Sequence, residues 1–326
     1  MEDLNFVSAS LCAASLFFSL GLSAQVYQPP LPLKSTSPKV REDVEKAKKI
    51  AGTEWAAEAH YFCQAPFADA ASDPIIEPVK IFDNVYAIGS VGTVAYVIAT
   101  SDGLMMIDSL RPNAIDTQLL PGFKKLGLDP ANVKSILISH GHADHFGGAA
   151  YFQEHYGTHI YVAQADWEFM QRQPARPGVM IANHDRVIVE GQPIVLGDEK
   201  VMAYPAGPHT PGSMAFVFPV KDKGQTHMAA LFGSILLLTT GTTDAGMQEH
   251  LKIIEHFKEE TMKAKVDVEL QNHPLFDNFT IKLAQLADSK PGDPNPFIVG
   301  QASYGRFLDV MSGCMQAEVD RRAASH

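Results

Sequence analysis

The sequence predicts an α/β fold with a sheet-on-sheet core and helices on both outer faces. Short apolar segments punctuated by Gly and Asp recur in two successive runs, and each run is followed by helix-forming stretches. The chain has 326 residues, 46% of them hydrophobic and 19% charged, enough apolar material for one large core.

In chain order, residues 41–62 suggest helix, with Ala47, Ile50, Ala51, Trp55, Ala56 and Ala59 as apolar positions. Strands are expected at Val85–Ile88, Thr93–Ala99 and Leu104–Ile107. Residues 114–126 read as a helix perturbed by Pro121 and closed by Gly127. Val133–Ser139 reads as a strand, Ala149–Tyr156 as a helix stopped by Gly157, and His159–Ala163 as a further strand. The second half repeats the style. Strands are expected at Arg186–Glu190, Pro193–Leu196, Val201–Tyr204, Met214–Val220 and Met228–Phe232. A helix at 247–264 follows from the spacing of Leu251, Ile254, Phe257 and Met262. A strand at Val266–Leu270 and helices at Phe279–Asp288 and Gln301–Arg322 complete the pattern.

The N-terminus carries an apolar run, Phe6–Leu22, ending in small residues before Gln25. It is short for a membrane span and reads as a signal peptide over residues 1–24, although Glu2 and Asp3 make its start acidic. The expected organisation is this signal, an N-terminal extension with a helix over 25–77, and the main domain over 78–326. Export would place the mature chain in the periplasm or outside the cell, with no stable membrane insertion. Of three cysteines, Cys12 lies in the signal, and Cys63 and Cys314 are either one disulfide or two buried thiols. A net charge of −11 and the absence of a basic stripe argue against a nucleic-acid partner, and the expected partner is a small-molecule substrate.

The chemistry is concentrated in Ser139-His140-Gly141-His142-Ala143-Asp144-His145. Four potential ligands follow a buried-looking strand. Imidazole and carboxylate suit zinc, and so dense a group of ionisable side chains is tolerable around bound cations. His140 and His142 leave the strand end in one direction, and Asp144 and His145 in another, which divides the cluster between two ions. Further ligands are needed. His209, in Gly207-Pro208-His209-Thr210-Pro211-Gly212-Ser213, and His273, in Asn272-His273-Pro274, stand at strand ends that could supply them. His60, His155, His159, His184, His227, His250 and His256 lack clustered partners and read as structural or solvated residues.

These motifs resemble the metallo-β-lactamase superfamily, and within it the subclass B3 enzymes, over roughly residues 78–320. The lead-in Val79–Gly89 and the strand end Ile107-Asp108 share the likeness. The resemblance implies a four-layer αββα sandwich of two mixed β-sheets and two Zn²⁺ per chain. His140, His142 and His209 would hold the first, and Asp144, His145 and His273 the second. Asp108 would orient ligands, and Cys314 resembles one half of a C-terminal bridge. Ser234, in Ala230-Leu231-Phe232-Gly233-Ser234, stands where glyoxalase-, lactonase- and nuclease-like members carry a bridging Asp. A serine there implies a B3-like site in which Ser234 binds water or substrate. The implied activity is metal-assisted hydrolysis of a cyclic amide with Asp144 orienting the water and no covalent acyl-enzyme. The alternatives are hydrolysis of another ester, lactone or thioester, or a non-catalytic metal-binding protein of the same fold.

Overall fold

The computed structural model describes residues 37–64, 73–233, 235 and 242–324. The expected signal peptide and Ser234 lie outside these residues.

Two mixed sheets face one another. The first runs β1 (Val79–Lys80), β2 (Val85–Gly89), β3 (Val94–Thr100), β4 (Gly103–Ile107), β5 (Val133–Leu137), β6 (His159–Ala163) and β7 (Arg186–Ile188), in that spatial order. Its pairs are antiparallel up to β4 and parallel beyond it. The second runs β12 (Val268–Leu270), β11 (Gln225–Phe232), β10 (Met214–Asp222), β9 (Glu199–Pro205) and β8 (Ile194–Leu196), with only the β11–β12 pair parallel.

Strand alternation sorts the apolar residues into three packed layers. Phe216 and Phe218 point inward to meet Ile98, Ile107 and Leu137 between the sheets. Ala215 and Val217, one residue out of phase, turn outward to pack with Phe257, Tyr304 and Phe307. On the far side, Val97, Met106 and Ile136 meet Phe123, Phe152 and Trp167. The helices that supply these lids are α3 (Leu120–Lys125), α4 (Ala143–Phe146), α5 (Ala149–Tyr156) and α6 (Gln164–Arg172) on the first sheet. α1 (Pro38–Ala51), α2 (Ala56–Gln64), α7 (Asp244–Lys263) and α9 (Gln301–Ala323) gather on the second, and α8 (Phe279–Asp288) follows β12. The result is the αββα sandwich expected of the sequence.

The helix expected at 114–126 is interrupted. A 3₁₀ turn at Pro112–Ala114 leads into a π-turn at Ile115–Leu119, and regular α-helix begins only at Leu120. Pro121 has no N–H to give to residue 117, and Leu120 bonds back to Ile115 instead, widening the turn before it. The strand expected at Val266–Leu270 is shorter, because Val266 still bonds to Thr261 at the end of α7. α7 begins before residue 247, where Thr243 caps it by accepting from Gly246 N–H. Gly157 ends α5 in the left-handed region that favours glycine.

Cys63 and Cys314 are joined, tying α2 to α9. Among the described residues, no helix is long and apolar enough to cross a membrane.

Candidate metal centre

Strand β5 ends at Leu137, and the chain then crosses the rim of the sandwich as Ser139–His142 before entering α4. His142 is the extended residue that opens α4, so Asp144 and His145 sit in its first turn, with the His145 ring centroid 4.0 Å from that of His140. His209 comes from the β9–β10 loop after a cis Gly207-Pro208 bond, and His273 from the end of β12.

The fold brings all six residues into two triads. His140, His142 and His209 form one, and Asp144, His145 and His273 the other, each with its donor atoms within 4.8 Å of one another. The division matches the one the resemblance implies. Two contacts test whether cations fit. His142 Nδ1 lies 3.0 Å from His209 Nε2, and His145 Nε2 lies 3.2 Å from His273 Nε2. Paired ring nitrogens at that separation turn lone pairs on one another unless a proton or a cation lies between them. His140 Nε2 and His209 Nδ1 are in addition buried without a hydrogen-bond partner. Buried polar atoms without partners are costly, so the donor set suits bound metal.

The electrostatics favour bare imidazoles at the first triad. Burial, and then the neighbouring rings, hold His140 well below the usual histidine range and bring His209 down to about 2. Burial also lowers His142. At the second triad, burial followed by His145 lowers His273 to about 4. Burial would raise the Asp144 carboxyl, but the charges of His145 and His273 outweigh it and bring it to about 2. His145 goes the other way, because the carboxylates of Asp144 and Asp108 outweigh burial and raise it.

The side chains behind the second triad fix which ring nitrogens point inward. Asp108 Oδ2 takes the His145 Nδ1 proton at 2.8 Å, and the Gly92 carbonyl takes that of His273 at 2.8 Å, leaving both Nε2 atoms to the site. Asp108 also accepts from Ser139 N–H at 2.7 Å, Ser139 Oγ at 2.8 Å and Asn272 Nδ2 at 3.0 Å. It does so from a left-handed backbone, φ 60°. Asp166 and Gln173 carry no signal in the sequence, and Asn272 enters there only as the neighbour of His273, although each bonds to a ligand-bearing segment. Their partners lie 25 or more residues away, so spacing alone carries no signal for them. Gly141 is small because Phe169, Met170 and Asp166 crowd it, and a Cβ there would lie 2.9 Å from the Phe169 ring.

Five of the other histidines find ordinary partners, whereas His60 and His250 each bury an Nε2 without one. His155 meets the Tyr151 carbonyl, His159 meets Asp185, His184 meets Gln164, His227 meets Asp267, and His256 meets Glu190. His250 is buried against Phe232.

The family model of the metallo-beta-lactamase superfamily matches residues 88–222. Among solved structures, the chain is similar to BJP-1, a subclass B3 metallo-beta-lactamase of Bradyrhizobium japonicum, at 25% identity and a TM-score of 0.65, covering 78% of this chain and 97% of that one. It is similar in fold to MEM-A1, a subclass B3 enzyme from a soil metagenome library, at 22% identity, TM-score 0.65, and 78% and 99% coverage. The same holds for the native FEZ-1 metallo-beta-lactamase from Legionella gormanii, at 20% identity, TM-score 0.63, and 78% and 98% coverage. Sequence match, sandwich and donor set together make this a metallo-hydrolase fold with a divalent-metal centre, and the resemblance to the metallo-beta-lactamase superfamily, with subclass B3 enzymes as its solved likenesses, holds.

Proposed function

We propose that the chain is a zinc-dependent hydrolase that opens the cyclic amide of a β-lactam, with one Zn²⁺ at each triad. The observation that carries this reading is the pair of triads whose donor atoms converge, with facing ring nitrogens in each. The subclass B3 names of similar solved structures supply the substrate class.

When bound, the two ions would supply an acidified water at neutral pH and Lewis-acid polarisation of the lactam carbonyl and leaving nitrogen. His140, His142 and His209 would hold the first ion, and Asp144, His145 and His273 the second. Asp144 is partly open to solvent and ionised across the working range, so its oxygen accepts a hydrogen bond from the attacking water and aims it. Asp108 and the Gly92 carbonyl keep the second-triad rings in the required tautomer. The charges of the exposed Arg111, felt by Asp144 and His145, and of the exposed Arg176, felt by His142, make the surroundings of the site more positive. They favour a substrate that carries a carboxylate, as β-lactams do. No side-chain nucleophile is required, and Ser234 is assigned contact with the water or the substrate carboxylate. Export through the segment 1–24 is part of the same proposal, and the Cys63–Cys314 bridge suits an oxidising compartment.

The test is hydrolysis of a chromogenic cephalosporin and a carbapenem by residues 25–326, with and without EDTA. EDTA-sensitive turnover that is lost in Asp144→Asn supports the reading. Two zinc ions per chain without β-lactam turnover would refute the β-lactam assignment and favour a lactone, ester or thioester. Full turnover by Asp144→Asn would refute the role given to that carboxylate.

A further inference from the structure

Asp166, in the first turn of α6, is wholly buried and spends both carboxylate oxygens on two separate ligand loops. Oδ2 accepts from Gly141 N–H at 2.6 Å and from Thr210 Oγ1 at 2.6 Å. Oδ1 accepts from Gly212 N–H at 2.7 Å. Gly141 lies between His140 and His142, and Thr210 follows His209 directly. Every ligand of the first triad is therefore within one residue of a donor that Asp166 holds. None of the three donors adjoins a ligand of the second triad in the chain.

The fit around this carboxylate is close. A Cβ at Gly212 would lie 2.6 Å from Asp166 N and 2.9 Å from its Cβ. The Gly141 peptide is also fixed from its other side, where Gln173 Nε2 donates to its carbonyl at 2.7 Å. Thr210 and Ser213 complete the loop, with their hydroxyl oxygens 2.7 Å apart and Thr210 N–H donating to Ser213 Oγ. The β5–α4 loop and the β9–β10 loop belong to different sheets, and one side chain from a third element sets their separation.

We propose that Asp166 is the positioning residue of the first metal triad. It holds His140 and His142 on one loop at a fixed distance from His209 on the other, as Asp108 does for the second triad. It touches neither metal nor substrate, and it acts through the two loops. Loss of such a support typically costs about 10- to 100-fold in metal affinity.

The experiment isolates each triad and reads Zn²⁺ affinity by competition with a chromophoric chelator. His273→Ala leaves the first triad intact, and His209→Ala leaves the second. Asp166→Ala should weaken binding about 10- to 100-fold in the His273→Ala background and leave affinity unchanged in the His209→Ala background. Asp166→Asn keeps one acceptor oxygen and should fall between parent and alanine. Unchanged affinity at the first triad, or an equal loss in both backgrounds, overturns the proposal. If thermal melting shows Asp166→Ala unfolded, Thr210→Val, which removes only the hydroxyl's bonds to Asp166 and Ser213, decides the matter. A loss confined to the first triad supports the role, and no loss or an equal loss refutes it.

Discussion

Replacing Asp108 with alanine would measure what one buried carboxylate contributes behind the second triad. Four donors converge on it: Ser139 N–H, Ser139 Oγ, His145 Nδ1 and Asn272 Nδ2, with aspartate and histidine side chains fully buried. In the alanine variant Asn272 Nδ2 keeps Ser139 Oγ at 2.9 Å, and the Ser139 hydroxyl can rotate. Ser139 N–H and His145 Nδ1–H are stranded. Each stranded buried donor costs about 1–3 kcal/mol, so the expected loss of stability is about 2–6 kcal/mol. The left-handed backbone at residue 108 adds to it, because alanine tolerates that region less well than aspartate. His145 also loses the acceptor that keeps Nε2 bare, so affinity at the second triad should fall about 10- to 100-fold. Asp108→Asn retains one acceptor and turns an NH₂ toward donors, and should be intermediate. Denaturant unfolding of the metal-free chains gives the first quantity, and Zn²⁺ competition in the His209→Ala background gives the second. Stability within about 1 kcal/mol of the parent, with unchanged affinity, would refute the reasoning.

The two triads should empty in sequence as pH falls. A proton competes for His145 from above the ordinary histidine value, whereas His140, His142 and His209 are all lowered, so the second triad should release its metal at the higher pH. Metal content after dialysis at descending pH checks this, and simultaneous loss contradicts it. Glu58 is buried with neither oxygen bonded. Burial, reinforced by Glu269 and Asp277, raises its pKa from 4.5 to about 9. Its neutral form suits the fold, so the stability linked to it is complete below pH 4.5 and declines up to about 9, by at most about 1.4 kcal/mol per pH unit. Glu58→Gln should flatten that decline in melts taken across the window, and an unchanged slope would place the proton elsewhere. The bridge between Cys63 and Cys314 closes a 251-residue separation, for which chain entropy gives about 5 kcal/mol. Reductant should lower the unfolding midpoint of the parent to that of Cys63→Ser and leave the variant unaffected. A parent insensitive to reductant would mean that the bridge does not stabilise the chain.

Periodicity sufficed for most elements. Gly157 stops α5 where a left-handed residue is needed, and Phe216 and Phe218 alternate with residues of opposite facing along β10. It fell short where a local rule met a competing one, as at Pro121, where a helix-forming window yields a π-turn. The candidate ligands were legible because four of them crowd into six residues and two more stand beside Pro at strand ends. Their supports were not. Asp166 sits at the start of an unremarkable amphipathic helix, and its three partners are 25, 44 and 46 residues away. Glu58 shows nothing in sequence that sets it apart from the exposed acids of α1. Its character comes chiefly from burial, reinforced by the charges of Glu269 and Asp277, which only the folded chain brings near.

Each triad draws two side chains from the segment after the first sheet's β5, the loop for the first triad and α4 for the second, and one from the second sheet, His209 after β9 or His273 after β12. Occupied, the ions become crosslinks across the seam of the sandwich, closing intervals of 67 residues between His142 and His209 and 128 between His145 and His273. Because such a site binds the folded chain in preference to the unfolded one, metal loading is linked to the cohesion of the two sheets. Chelation would then open the rim of the sandwich before its centre. Amide exchange should quicken first along Ser139–His142 and Thr210–Ser213, while Phe216, Phe218 and Leu137 stay protected deep between the sheets.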